Sequence, residues 1–186
     1  MEASRNEVEI KLRFDSPRTA IREIENLGAV LVERREFEDN AVYDLPSGAL
    51  RRASQLLRLR TKGSASILTF KSKVPGESRH KVYLEHETGV DDAEQTHLLL
   101  TGLGYSRGYR YQKYRTVYCL DDVEISIDET PIGCFVELEG APAAIDDLAA
   151  RLGCAPERYI RETYRELHEA EAAARGVPVG DLMFGA

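Results

Sequence analysis

The sequence predicts an α+β fold whose mostly antiparallel strands, joined by short turns and interleaved with helices, could close into a barrel. Three observations carry that expectation. Charged and apolar residues alternate in segment after segment, the period of a strand. Hairpin signals such as Lys62-Gly63-Ser64 and Thr130-Pro131-Ile132-Gly133 separate these segments. Capped stretches at helical spacing fall between them. With 186 residues and 42% hydrophobic content, the chain can bury one sizeable core. The expected organisation is a single domain over residues 1–175 followed by a tail over residues 176–186.

Asn6 to Phe14 alternates strictly, with Glu7, Glu9 and Lys11 on one face and Val8, Ile10 and Leu12 on the other. Asp15-Ser16-Pro17 then supplies a cap and a first-turn proline for a helix through Ile21, Ile24 and Leu27, which Gly28 stops. Ala29 to Leu45 reads as a strand running into a loop at Pro46-Ser47-Gly48. Its charge run Glu33-Arg34-Arg35-Glu36 reads as a solvated face. Gln55 to Thr61 places Arg58 and Arg60 together, and Ala65 to Lys73 returns with Thr69, Lys71 and Lys73 on one face. After a loop at Pro75-Gly76-Glu77, Ser78 to Thr88 puts Arg79, Lys81, Tyr83, Glu85 and Glu87 in one register.

Asp91-Asp92-Ala93-Glu94 caps a second amphipathic helix through Leu98, Leu99 and Leu103 to Gly104, so strand, helix and glycine recur as in a second, similar half. Tyr109 to Leu120 aligns Tyr111, Lys113 and Arg115, and after the turn at Asp121-Asp122, Val123 to Glu129 opposes Glu124, Ser126 and Asp128 to Val123, Ile125 and Ile127. Cys134 to Glu139 closes the strand series with a second pair of alternating glutamates, Glu137 and Glu139. Ala143 to Leu152 reads as a third helix. A polar fourth helix, Ile160 to about Arg175, is expected to lie across one side of the sheet, and the tail from Gly176 as a partly ordered extension.

The net charge of −7 argues mildly against nucleic acid as a partner. Cys119, Cys134 and Cys154 have no zinc-like or disulfide-framework spacing, which fits a reducing cytoplasm. There is no apolar leader region and no run of about 18 apolar residues, so neither secretion nor membrane insertion is expected. His80, His86, His97 and His168 lack partner spacing and read as ordinary surface residues.

By alternation alone the charged faces would point to water, and the barrel would take an apolar ligand or be packed with side chains. Two features turn the faces inward. The charges are sorted, with the first and last strands acidic and the middle ones basic, whereas solvent-facing strands usually mix signs. The interleaved helices also need an apolar outer surface to pack on. A lumen of this kind holds carboxylates a few ångströms apart at roughly 3 kcal/mol per pair for an effective dielectric near 20, so a cation must offset them. Oxygen donors without histidine or cysteine point to Mg²⁺ or Mn²⁺, and the nearby lysines and arginines suit a chain of phosphates. No Gly-x-x-x-x-Gly-Lys-Ser/Thr loop is present, which excludes a P-loop. Glu85 and Glu87 could line the lumen or be rim or surface residues, and Lys73 and Lys81 read as more peripheral.

The ordered set of motifs resembles the CYTH superfamily, the triphosphate tunnel metalloenzymes, which includes class IV adenylate cyclases, thiamine triphosphatases and tripolyphosphatases. Glu7-x-Glu9-x-Lys11, Leu57-Arg58-Leu59-Arg60, Thr69-Phe70-Lys71-Ser72-Lys73, Lys113-x-Arg115, the Asp128…Gly133-x-Phe135-x-Glu137-x-Glu139 hairpin and Thr163-Tyr164-x-x-Leu167 are similar to its motifs in order, over about residues 5 to 168. The resemblance implies an eight-stranded antiparallel tunnel. It implies metal binding by Glu7, Glu9, Glu137 and Glu139, with Asp128 and Glu85 assisting. Lys11, Arg58, Arg60 and Lys71 would bind the triphosphate and assist catalysis by neutralising charge, and Lys73, Lys81, Lys113 and Arg115 would complete the grip. Tyr83 stands where an arginine is usual, with Arg79 or Lys81 able to substitute from the same face, and Thr163 stands where serine is usual. The expected activity is metal-dependent hydrolysis of a small-molecule triphosphate. The alternatives are cyclisation of ATP to cyclic AMP and pyrophosphate, or a non-catalytic polyphosphate sensor. The sequence leaves a homodimer open.

Overall fold

Closure of the sheet decides where every charged face points. The computed structural model describes residues 5–76 and 78–185; Glu77 of the expected loop, residues 1–4 of the expected domain and Ala186 of the tail lie outside them. Strands β1 (Arg5–Phe14), β2 (Val30–Asp44), β3 (Gln55–Lys62), β4 (Ala65–Lys73), β5 (Lys81–Val90), β6 (Ser106–Leu120), β7 (Val123–Thr130) and β8 (Gly133–Glu139) form one closed barrel in the order β1-β5-β4-β3-β2-β6-β7-β8. Every neighbouring pair is antiparallel. Exchanging β1–β4 for β5–β8 maps this ring onto itself, which gives the recurring strand, helix and glycine pattern a topological counterpart.

Helices α1 (Pro17–Asn26), α2 (Ala49–Arg52), α3 (Ala93–Gly102), α4 (Pro142–Arg151) and α5 (Tyr164–Arg175) flank the barrel. Ser16 caps α1 by accepting from Thr19 N, and Asp92 caps α3 by accepting from Gln95 N. The short α2 directly after the Pro46–Gly48 loop went unpredicted; Asp44 accepts from the backbone N–H groups of Leu45, Leu50 and Arg51 and so fixes its start. The main core lies outside the barrel wall. There Ala20 and Ile24 of α1 and Ile145, Leu148 and Ala149 of α4 bury against Ile10, Leu12, Ile125, Ile127, Val136 and Leu138. The apolar faces of β1, β7 and β8 therefore point out to the helices, and their charged faces point into the lumen.

Three expectations are corrected. The leucines assigned to the packed face of α3, Leu98, Leu99 and Leu103, are exposed, and Leu100 is the one that buries. The fourth helix starts at Tyr164 rather than Ile160, because Ile160 is drawn into an extended bridge with Lys11, each backbone N–H donating to the other's carbonyl. Beyond Glu9, β1 no longer pairs with β5, and Ile160 takes up that free edge. Finally, His80 is buried, with Nε2 2.9 Å from Asp146 Oδ1, while Tyr159 Oη donates to the same oxygen.

The charge run at Glu33–Glu36 is exposed, as expected, on a stretch of β2 that extends past the end of β3. Among the described residues no helix is long and apolar enough to cross a membrane.

If the core lies outside the wall, Ile125→Ala should cost about 2–5 kcal/mol, because Ile125 is fully buried under the helices. The expected result is a lower urea midpoint with an unchanged slope; an unshifted midpoint would place the core elsewhere.

Candidate active site

The junction of β1 and β8 is the centre of the lumen. Its register sets Glu9 opposite Glu139 and Lys11 opposite Glu137, so two acidic strands about 130 residues apart in sequence become neighbours. On the other side of β1, Glu9 faces Lys81 and Glu7 faces Tyr83 of β5. Lys71 of β4 faces Glu85, and Thr69 faces Glu87. Arg58 and Arg60 enter from β3, Lys113 and Arg115 from β6, and Glu124, Ser126 and Asp128 from β7. All but the fully buried Thr69 and Asp128 line a cavity of about 610 Å³, within the range that holds a small organic ligand.

Inside, acids and bases are paired across strands. Lys11 Nζ lies 3.0 Å from both Glu9 Oε1 and Glu137 Oε1. Lys81 Nζ donates to Glu9 at 3.1 Å, and Lys71 Nζ to Glu7 at 2.6 Å, with Glu85 3.2 Å away. Arg115 forks onto both oxygens of Asp128 and also reaches Glu137. Asp128 further accepts from Lys113 at 2.9 Å and from Tyr164 Oη at 2.6 Å. Arg58 and Arg60 both reach Glu87, which Thr69 Oγ1 anchors at 2.6 Å. Arg58 also donates to Tyr111 Oη.

Every sequence-predicted site residue reaches this one lumen. Lys81, read as peripheral, is buried and bonded to Glu9, whereas Lys73 lies exposed at the mouth. Glu85 and Glu87 both line the cavity, and Arg79 instead lies outside it, near Asp146.

Two contributors were missed. Glu38 of β2 is fully buried, 3.5 Å from Arg60 and 3.6 Å from Lys113. Asn40, two residues on, is buried with neither end of its amide bonded among the described residues. Their two-residue spacing was the available signal, masked by the run of exposed charges just before them.

Burial would raise the carboxyl of Glu9, but the ammonium groups of Lys11 and Lys81 outweigh it and hold the pKa down to about 2. Glu38, likewise opposed by burial, is pulled to about 2 by Lys113, Arg115 and Arg60. Glu139 behaves in the opposite way. Burial, then Glu7 and Glu124, push it up to about 7. Burial also lifts Glu85 to about 7, Lys71 countering it and Glu7 and Glu87 adding to it. The bases thus compensate most of the lumen's acids and leave surplus negative charge around Glu139 and Glu85.

That surplus is the test of whether a divalent cation fits. Among the described residues, no three carboxylate, imidazole or thiol groups converge on one ready-made cage. The donor set is all oxygen, it is concentrated at the β1–β8 junction, and Glu139 lacks a basic partner in the ion pairs found. These are the ligands a hard cation takes. The buried Nε atoms of Arg58 and Arg60 have no acceptor among the described residues, which leaves donors for an anion beside the acids.

A closed antiparallel barrel with a lumen sorted into acidic and basic strands defines a tunnel protein. The sequence model of the "CYTH domain" matches residues 5–168, and the chain belongs to the CYTH family. It is 25% identical over 173 residues to a Methanocaldococcus jannaschii protein named "Putative adenylate cyclase", covering 87% of this chain and 97% of the relative. Among solved structures, the PH1012 protein from Pyrococcus horikoshii is similar at 28% identity and a TM-score of 0.74, over 87% of this chain and 98% of that one. A Hippeastrum protein described as a "putative adenylyl cyclase" with a dominant triphosphatase activity shares the fold at 19% identity and a TM-score of 0.63, covering 93% and 97% of the two chains.

The raised acids give a signed pH dependence. Between about pH 4.5 and 7, Glu139 and Glu85 bind more protons folded than unfolded, so stability falls as pH rises through that window. Metal-free protein should therefore melt at a higher temperature at pH 6 than at pH 8. Glu139→Gln should raise the pH 8 melting temperature and narrow the difference. Stability that rises from pH 6 to 8 would contradict this electrostatic picture.

Proposed function

We propose that this protein is a divalent-metal-dependent enzyme acting on the triphosphate group of a small molecule by phosphoanhydride hydrolysis. One observation carries the reading: the closed barrel sets the acidic pair of strands β1 and β8 against bases from β3, β4 and β6 in one cavity. A pure anion binder gains nothing from carboxylates beside its ligand unless a cation sits there. Family membership, and the triphosphatase activity described for a protein of the same fold, support the same class of chemistry.

Glu7, Glu9, Glu137 and Glu139 would hold Mg²⁺ or Mn²⁺, with Glu85 and Asp128 in support. The metal, when bound, supplies charge neutralisation on phosphate oxygens and a positioned water. The chain's own residues do the rest by exchanging partners. Lys11 and Lys71 now sit on Glu9, Glu137 and Glu7. Phosphate oxygens entering the lumen compete for those ammonium groups and release the carboxylates to a cation. Anion and cation thus favour each other's binding. Arg58 and Arg60, held by Glu87 and Thr69, would present forked donors to the phosphates, and Lys113, as a point charge, and the forked Arg115 would add donors from β6, two strands along the same wall. These bases stabilise charge that develops on the leaving phosphate.

The test is a panel of tripolyphosphate, thiamine triphosphate and ATP with Mg²⁺ or Mn²⁺, reading phosphate, pyrophosphate and cyclic AMP separately. Metal-dependent phosphate release is expected, and Glu137→Gln should reduce it by about a hundredfold or more with the fold retained. Cyclic AMP with pyrophosphate would reassign the reaction to cyclisation, and binding without turnover would make the protein a sensor. A Glu137→Gln rate near that of the unsubstituted protein would contradict the assignment of the β1–β8 junction.

A further inference from the structure

The segment after α5 lies beyond the family-matched residues 5–168, yet it is built into the wall of the tunnel. β7 pairs with β6 from Tyr114 onward, so the part of β6 before Tyr114 has no β7 neighbour on that edge. Residues 181–184 occupy the edge instead. Leu182 N donates to Arg110 O at 2.9 Å and Gln112 N donates to Leu182 O at 2.9 Å, forming a parallel bridge centred on Tyr111. Side chains hold the same segment. Asp181 Oδ1 accepts from Arg110 N, Gln112 Oε1 accepts from Phe184 N, and the Phe184 ring packs on Tyr114 at 5.3 Å.

Bridge partners present their side chains to the same face of a sheet. Leu182 therefore points inward with Tyr111, is 3% exposed, and joins one apolar cluster with Tyr109, Tyr111, Phe135 and Tyr164. Two members of that cluster touch the charged machinery. Tyr111 Oη accepts from Arg58, and Tyr164 Oη donates to Asp128, which in turn holds Lys113 and Arg115. Tyr111 and Tyr164 pack with ring centroids 6.1 Å apart, and Lys11 and Lys113 lie over the Tyr164 ring. Removing Leu182 would take away the side chain beside Tyr111 on the β6 edge, and small displacements of Tyr111 would be passed to Arg58 directly and, through the Tyr164 ring it packs on, to Asp128 and its bases.

We infer that the C-terminal segment completes the tunnel, with Leu182 a positioning residue that fixes Arg58, Lys113 and Arg115 through Tyr111 and Tyr164. The inference rests on the triphosphate-binding reading of the lumen. Its test compares the full-length protein with Leu182→Ala, Leu182→Met and a chain ending at Gly180. Tripolyphosphate affinity is measured by titration calorimetry with Mg²⁺, and KM and kcat where turnover occurs. Leu182→Ala and the shortened chain should bind tripolyphosphate at least fivefold more weakly and show a raised KM, with kcat less affected. Leu182→Met should restore most of the loss. Val179→Ala, on an exposed position of the same segment, should change nothing. If the full-length protein binds without turnover, hydrolysis is contradicted while the affinity comparison still decides the role of Leu182. Unchanged affinity in Leu182→Ala would overturn the inference, and no tripolyphosphate binding by the full-length protein would overturn both. If the shortened chain does not fold, the two Leu182 substitutions decide.

Discussion

Pairing between the first and last strands is the constraint on which everything else depends. Without β1 against β8 the sheet has two open edges and its charged faces need not meet. With it, Glu9 and Lys11 are forced opposite Glu139 and Glu137 inside a lumen where both sit mostly buried. Burying charges in such a place is costly unless each finds a partner with good geometry. The resting lumen answers with two sets of ion pairs, Lys71 with Glu7 and Glu85, and a chain running through Lys81, Glu9, Lys11, Glu137, Arg115 and Asp128. The outer helices α1 and α4 bury the apolar faces of β1, β7 and β8 and so commit the opposite faces to the interior.

These ion pairs do not balance everywhere, and the imbalance is informative. Glu139 and Glu85 keep pKa values near 7 because burial and neighbouring acids outweigh the bases within reach. A fold selected for stability alone would have no reason to keep such carboxylates. Glu139, which has no lysine or arginine at ion-pair distance among the described residues, sits at the β1–β8 junction, whereas Glu85 stands on β5, 3.2 Å from Lys71. A cation arriving at the junction would meet there a carboxylate not already spent on a base.

Much of this was legible in the sequence because the strand period and the sorting of charge survive without any tertiary information. The alternation grouped Glu7, Glu9 and Lys11, and Glu137 and Glu139, on common faces but by itself favoured water; the sorting of charge by strand and the need of the capped helices for an apolar outer surface turned those faces to the lumen. What was hidden depended on neighbours that only the fold supplies. Glu38 and Asn40 follow an exposed charge run on the same strand, so local polarity gave the wrong impression of their burial. Lys81 looked peripheral because the β1–β5 register that brings it to Glu9 is a long-range choice. Leu98, Leu99 and Leu103 have the residue type of a packed face but not the position: of these leucines and Leu100, α3 buries Leu100 in the wall. His80, Ile160 and Leu182 each take up a partner far away in sequence, and no local pattern marks that.

The central claim is that the β1–β8 junction binds a divalent cation while the opposing bases bind phosphates in the same lumen. Crystals grown with Mn²⁺ and tripolyphosphate, with data collected at the manganese absorption edge, test it most directly. An anomalous peak is expected among the carboxylates of Glu7, Glu9, Glu137 and Glu139, with phosphate oxygens against Arg58, Lys71, Lys113 and Arg115. Manganese confined to the outer surface, or tripolyphosphate bound outside the barrel, would contradict it.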